Sequence, residues 1–406
     1  MTDVHGSPDR RAVLATMGAA AVASPALAAP VVAAPVVAAT SVRETRLNGR
    51  DALTLSNGRM QLSVLPGGGF IGEVRLNTGR AQADVNPMRV PHYPTIDPYA
   101  FDYDRDGDRY GTDVQARLMA GYMGHFTCFP QFGNQPEEFK AADYNQHGEA
   151  LAVKWQRQSA PADTLSMQAE LPRTRYRFSR DITMLPDETV AYVTESATNL
   201  MIQDRPLQWV QHVTMGPPFA AVGRMYVDAS VDRVVLGAGN DARLGDWPQS
   251  PNAAGAMHDY RVFSGDTGYW LMQRTGHNWF VAYNTDLKLL FAHVWDASVN
   301  PWLLDWQQNK TNLRKPWDGK AVARGLCWGD SLIQGAKNAV VQGSNFGVPQ
   351  YSWIDSLATR RQRYAILLTE MPAGWQGAAA LTTADGAITI TEKNGGRTLR
   401  IKASRI

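Results

Sequence analysis

From Thr45 onward the chain is a succession of short segments in which apolar and polar residues alternate. Ala52–Leu55, Arg59–Leu65, Ala150–Gln156, Arg173–Leu185, Thr189–Ala197, Trp209–Met215, Trp279–Asn284, Lys288–Val294 and Tyr364–Leu368 follow this pattern, each bounded by Gly, Pro, Asn or Asp. Period-two alternation between turn residues is the signature of a strand with one face buried. Arg173–Leu185 shows it well. Tyr176, Phe178 and Ile182 share one face, and Arg175, Arg177 and Asp181 the other. In Gln208–Thr214 the same parity groups Gln208, Val210, His212 and Thr214. Helical periodicity is scarce, with Thr112–Ala120 the main candidate. Many short strands without a strand–helix rhythm predict an all-β protein, a large β-sandwich with few short helices. No repeat or linker divides residues 45–406, so one domain is expected there.

The first 44 residues read differently. Arg10-Arg11 precedes a mild Ala- and Gly-rich apolar run, and Ala26-Leu27-Ala28 supplies a small-x-small cleavage site. Residues 1–28 therefore read as a twin-arginine signal peptide, and 29–44 as an Ala/Pro/Val-rich tether. A periplasmic protein with no membrane span after cleavage is expected.

Composition sharpens the picture. Forty Lys and Arg against 38 Asp and Glu give a net charge of +2, which argues against a nucleic-acid partner. Twelve Trp, 14 Tyr and 35 Gly suit both a turn-rich β-fold and a carbohydrate site. The C–H face of a sugar packs on an aromatic plane, while its hydroxyls need planar polar partners. Two cysteines, Cys128 and Cys327, are too few for a disulfide scaffold and allow one bridge at most.

Several motifs, in order, resemble the aldose 1-epimerase (galactose mutarotase-like) superfamily, in a divergent exported branch. They are Gly68-Gly69-Phe70-Ile71-Gly72-Glu73-Val74-Arg75, Gly124-His125-Phe126-Thr127-Cys128, Gln146-His147-Gly148-Glu149-Ala150 with Trp155, and Gln211-His212-Val213-Thr214. Asn300-Pro301-Trp302-Leu303, Trp306 and Ala323-Arg324-Gly325-Leu326 complete the set. The resemblance implies a groove for a mono- or oligosaccharide, with His212 as general acid and His147 as a second sugar-contacting histidine. It also implies a glutamate base, but the position that would carry it is Cys327. Asp330, Asp305, Asp318 and Glu149 are the carboxylates that could substitute. Further sugar-contacting candidates are Arg89, His92, His125, Glu149, Trp302, Trp306, Arg324 and Trp328, with Trp317 beside them. Three activities stay open: anomer interconversion, eliminative cleavage of a glycoside on the same scaffold, and sugar binding without catalysis. No cofactor is required for any of them.

One segment stands apart. Asp102, Asp104, Asp106 and Asp113, with Gly107 between, follow the spacing of a calcium loop, with Asp108 alongside. The segment reads either as a solvated acidic turn, with Arg105 and Arg109 as local counter-charges, or as a site for a structural calcium ion.

Overall fold

The computed structural model describes residues 39–133, 145–236, 243–252, 255–264, 269–273, 277–296, 298–331 and 340–406. The segment read as a signal peptide and residues 29–38 of the segment read as a tether lie outside the described residues. The first strand begins at Ser41 and runs to Leu47, so the first sheet takes in the last residues assigned to the tether.

Two large antiparallel sheets dominate the described residues, one of eleven strands and one of eight. At the centre of the first lie, side by side, His125–Cys128, Val210–Met215, Val322–Gly329 and Trp302–Asn309. The second carries Leu289–Asp296, Thr359–Glu370, Val190–Asn199 and Tyr176–Met184 in that order. The expected all-β sandwich is therefore observed. Two segments depart most from their expected form. Ala150–Ala152 is a 3-10 turn, and only Gln156–Gln158 is strand. Of Thr112–Ala120, only the part from Ala116 is helical, in the helix Ala116–Gly121. No helix among the described residues is long and apolar enough to cross a membrane.

The core lies between the sheets. Val213, Met215, Leu303, Leu326 and Trp328 from the first meet Phe178, Ile182, Val193, Phe291, Trp295 and Tyr364 from the second. Each fully buried side chain of this size contributes about 1.5–3 kcal/mol. The outer face of the eight-stranded sheet is covered by a C-terminal three-stranded sheet through Leu381, Ile388, Ile390 and Ile401.

The interior also holds a polar hub. Glu195, fully buried, accepts hydrogen bonds from Arg180 (2.7 Å), Gln211 (2.6 Å), Gln362 (2.9 Å), Thr127, Trp209 and Tyr364. Arg180 shares the inward face with Tyr176, Phe178 and Ile182, and it also donates to the Gly69 carbonyl. A buried ion pair survives only when its remaining hydrogen-bonding capacity is filled, and here it is.

The acidic segment is a helix, Tyr103–Tyr110, and neither a calcium loop nor a simple turn. Asp102 caps it, accepting from the Asp104 and Arg105 backbone N–H groups at 3.0 and 2.9 Å. Asp106 accepts from the Asp102 N–H and pairs with Arg105 at 2.7 Å. Residues two apart on a helix point roughly 200° apart, so Asp102, Asp104, Asp106 and Asp108 do not converge. Asp113 lies beyond the helix, beside Arg314. No group of three or more His, Cys, Asp or Glu among the described residues is placed to hold a metal ion.

Candidate active site: a two-histidine cleft

The strand Val210–Met215 sets the site. Its alternation sends Gln211, Val213 and Met215 inward and Val210, His212 and Thr214 to the outer face of the eleven-stranded sheet. Across the ladder, His212 pairs with Cys327, and Thr214 with Gly325. On the next strand Leu304 pairs with Cys327 and Trp306 with Gly325. One face therefore carries His212, Thr214, Leu304 and Trp306 together. A Cβ on Gly325 would sit 3.3 Å from the His212 ring and 3.1 Å from Trp306, so glycine leaves room for both rings.

His147 arrives from a loop. Its backbone has φ 65°, followed by Gly148 at φ 90°, where a Cβ would lie 2.3 Å from the Phe129 carbonyl oxygen. This turn, which only glycine permits at 148, delivers the His147 ring edge-on to His212, with centroids 5.2 Å apart at 74°. His212 is also stacked on Phe126 at 4.6 Å and 13°.

These rings floor a cleft of 260 Å³ lined by Gln115, Tyr122, Phe132, Gln146, Leu304, Trp306, Gln308, Asn312 and Trp317 among others. Ligand pockets usually start near about 300 Å³, so this one suits a small ligand such as a single sugar ring. Its walls combine indoles with side-chain amides, the mixture that a pyranose requires.

Each histidine has a defined partner. His147 Nδ1 accepts from the Gly133 backbone N–H at 3.0 Å, which leaves the ring proton on Nε2. His212 Nδ1 shares a hydrogen bond with Thr214 Oγ1 at 2.9 Å, and that hydroxyl meets the Tyr122 hydroxyl at 2.9 Å. In both rings Nε2 is the nitrogen available to a ligand. Burial lowers the His147 pKa to about 3. Burial, with His147 and His125 nearby, lowers that of His212 well below its ordinary value. Both are neutral imidazoles at neutral pH, so His212 Nε2 presents a lone pair, although the same burial makes it a weak base. The general-acid role expected for it requires the imidazolium form, which burial disfavours in the resting state.

Several expected site residues lie elsewhere. Cys327 shares the His212 face but sits in an apolar cluster with Leu118, Met119, Phe126 and Cys128. Burial, then Asp305, pushes its thiol pKa well up, so a thiolate base is disfavoured. Cys327 and Cys128 are both free thiols. Arg324 faces the sheet interior, where it pairs with Asp305 at 2.6 Å and donates to the Tyr260 and Arg261 carbonyls. Trp328 is a core residue stacked on Trp295 at 4.6 Å. His125 also points inward, bonded to Gln211 at 2.7 Å. Glu149 accepts from Thr174 and the Arg173 N–H and so pins the loop. Asp330 caps the Trp209 N–H at 2.7 Å, outside the cleft.

Others act from behind or beside the cleft. Arg89 is buried under its wall, with its guanidinium 4.5 Å from the Tyr122 ring centre and 4.8 Å from that of Trp317. His92 is exposed and packs on Tyr93. Asp318 is exposed beside Trp317. Trp302 shares the outer face with Trp306 but is fully buried, donating to the Pro349 carbonyl at 2.8 Å. Of the expected residues, the fold thus brings His147, His212, Trp306 and Trp317 together. It adds Tyr122, Gln115, Gln308 and Asn312, whose surroundings in the chain carry no motif to mark them. Thr214 was legible, since it stands two residues from His212.

No protein-family model matches the chain, and no curated protein sequence matches it. Solved structures do. A candidate aldose 1-epimerase from Klebsiella pneumoniae superposes with a TM-score of 0.58 at 12% identity, over 81% of this chain and 83% of that one. A galactose mutarotase-like protein from Clostridium acetobutylicum gives 0.55 at 13% identity, over 82% and 99%. A candidate mutarotase from Salmonella typhimurium gives 0.52 at 11% identity, over 81% and 94%. At such identities the likeness is one of architecture, and on it the chain has the galactose mutarotase-like β-sandwich fold.

Proposed function

We propose that the cleft binds one aldose ring and interconverts its anomers with two neutral histidines. The observation that carries this reading is the His147–His212 pair, edge to face at 5.2 Å on the cleft floor, with both Nδ1 atoms engaged and both Nε2 atoms left for a ligand. His212 Nε2 accepts the proton of the anomeric hydroxyl. The bond from the anomeric carbon to the ring oxygen breaks, its electron pair going to that oxygen, and the anomeric oxygen becomes the aldehyde. His147 Nε2–H donates a hydrogen bond to the ring oxygen while His212, as imidazolium, returns the proton to it. Rotation about the bond to the carbonyl carbon and closure on the opposite face reverse these steps. The Tyr122–Thr214 hydroxyl chain fixes the His212 ring and compensates its transient charge. The leader around Arg10-Arg11 supports a periplasmic site of action.

Polarimetry of freshly dissolved α-glucose and α-galactose tests the reading. Acceleration above the buffer rate is expected, with loss of most of it in His212→Ala. No acceleration by the native protein, together with saturable sugar binding in a calorimeter, would replace catalysis by binding alone. That second reading draws on a specific feature, since no Asp or Glu lines the cleft among the described residues. For eliminative cleavage a tyrosine base is disfavoured, because burial raises the pKa of Tyr122, the phenol lining the cleft, away from a usable phenolate.

A further inference from the structure

A second cleft lies just past the strand Val322–Gly329, where Asp330 is 3% exposed. Asp330 Oδ1 is used by the Trp209 N–H and the Ser352 hydroxyl lies against the same carboxylate, but Oδ2 is buried without a hydrogen bond of normal geometry. Arg360 Nη1 is likewise buried without a hydrogen bond, and its ion pair with Asp330 Oδ2 is a long one. The two groups stand 3.8 Å apart, beyond the roughly 3.2 Å of a hydrogen bond. Both line an opening of 310 Å³ that also holds Tyr351, Ser352 and Trp353. Trp353 is 51% exposed, and its ring meets Tyr351 edge to face at 5.9 Å. Its backbone is held in a strand paired with Arg205–Leu207, so the indole is anchored from behind and open in front.

Native proteins rarely leave buried polar atoms unpaired, and a ligand that completes them recovers the loss. An acceptor and a cationic donor about 4 Å apart match two adjacent hydroxyls of a sugar. One hydroxyl donates to Asp330 Oδ2, and its neighbour accepts from Arg360 Nη1. The flat, half-open indole takes the C–H face of the ring. The carboxylate repels an anion, and one carboxylate is too little for a metal ion. We propose that the Asp330–Arg360 cleft with its Trp353 platform is a second saccharide-binding site. It shares no lining residue with the two-histidine cleft. Trp302 joins the two, since it lies on the strand that carries Trp306 and donates to Pro349, a wall residue of the second cleft. The proposal does not depend on chemistry at His212.

The test is indole N–H NMR of the full chain titrated with glucose, galactose, lactose and cellobiose. The Trp353 peak is assigned by its loss in Trp353→Phe. At least one saccharide should shift that peak saturably. Asp330→Asn, which keeps an acceptor for the Trp209 N–H, should weaken the response at least tenfold, and Arg360→Met should do the same should the Asp330 variant fail to fold. Neither change should alter anomerisation rates. A Trp353 peak indifferent to all four sugars, an equal response to glycerol, or undiminished titration in both variants overturns the site, whatever polarimetry shows for the other cleft.

Discussion

Lowering the pH from 8 to 5 should strip stability from this fold, and His147 permits the size of the loss to be worked out. Its ordinary pKa of 6.5 falls to about 3 in the folded protein because burial excludes the charged form. The unfolded chain therefore takes up a proton as the pH falls through 6.5, while the folded chain does not until near 3. Stability contributed by the neutral ring is present above 6.5 and is lost as the pH falls through that window. At pH 5 the loss is about 1.36 kcal/mol per unit over 1.5 units, or roughly 2 kcal/mol. That figure holds for any folded pKa below about 4. His125, lowered by burial to about 4, adds a similar amount, and His212 and His293 shift in the same direction. Asp330 works the other way. Burial raises it to about 6, so its contribution grows on acidification through 6, by about 1.4 kcal/mol at pH 5. The assay is urea unfolding at pH 8 and pH 5 for the native protein and for His147→Asn. Asparagine tolerates the φ of 65° and does not titrate. The difference between the two pH values should shrink by roughly 2 kcal/mol in the variant. An unchanged difference would refute the claim that His147 is held neutral by burial.

Three further outcomes are expected. Glu195→Gln should cost about 3–5 kcal/mol in urea unfolding, because it leaves the Arg180 charge buried without its counter-ion. Gly148→Ala should cost about 1–3 kcal/mol from its φ of 90° alone, and more from the clash with Phe129, seen as a lowered Tm. Thr214→Val should reduce the anomerisation kcat by about tenfold or more with KM little changed. Thr214→Ser should restore it, because the serine hydroxyl can again bridge Tyr122 and His212.

Period-two alternation and turn residues specify strands locally, and so the all-β class and the strand around His212 were readable from the chain alone. Parity by itself puts Val210, His212 and Thr214 on one face. Arg180 was readable on the same logic, since it shares parity with Tyr176, Phe178 and Ile182, and an inward arginine demands a buried acid. What alternation cannot specify is which face of a sheet is core and which is cleft. Arg324 and His125 sit within the recognisable motifs and Trp328 just beyond one, yet all three point inward, because each is one residue out of phase with the cleft face. Cys327 is in phase, but the side chains packed over it make an apolar pocket. The aspartate spacing that suggests a metal loop is equally that of a capped helix, and Asp102 decides for the helix by binding two backbone N–H groups. Local patterning thus suffices for the strands and the fold class, while the choice of the two histidines rests on the motifs that resemble the mutarotase-like family. That these histidines meet, that burial keeps them neutral, and that Asp330 belongs to a different cleft emerge only when the chain is folded, because desolvation and side-chain contact are set by residues distant in sequence.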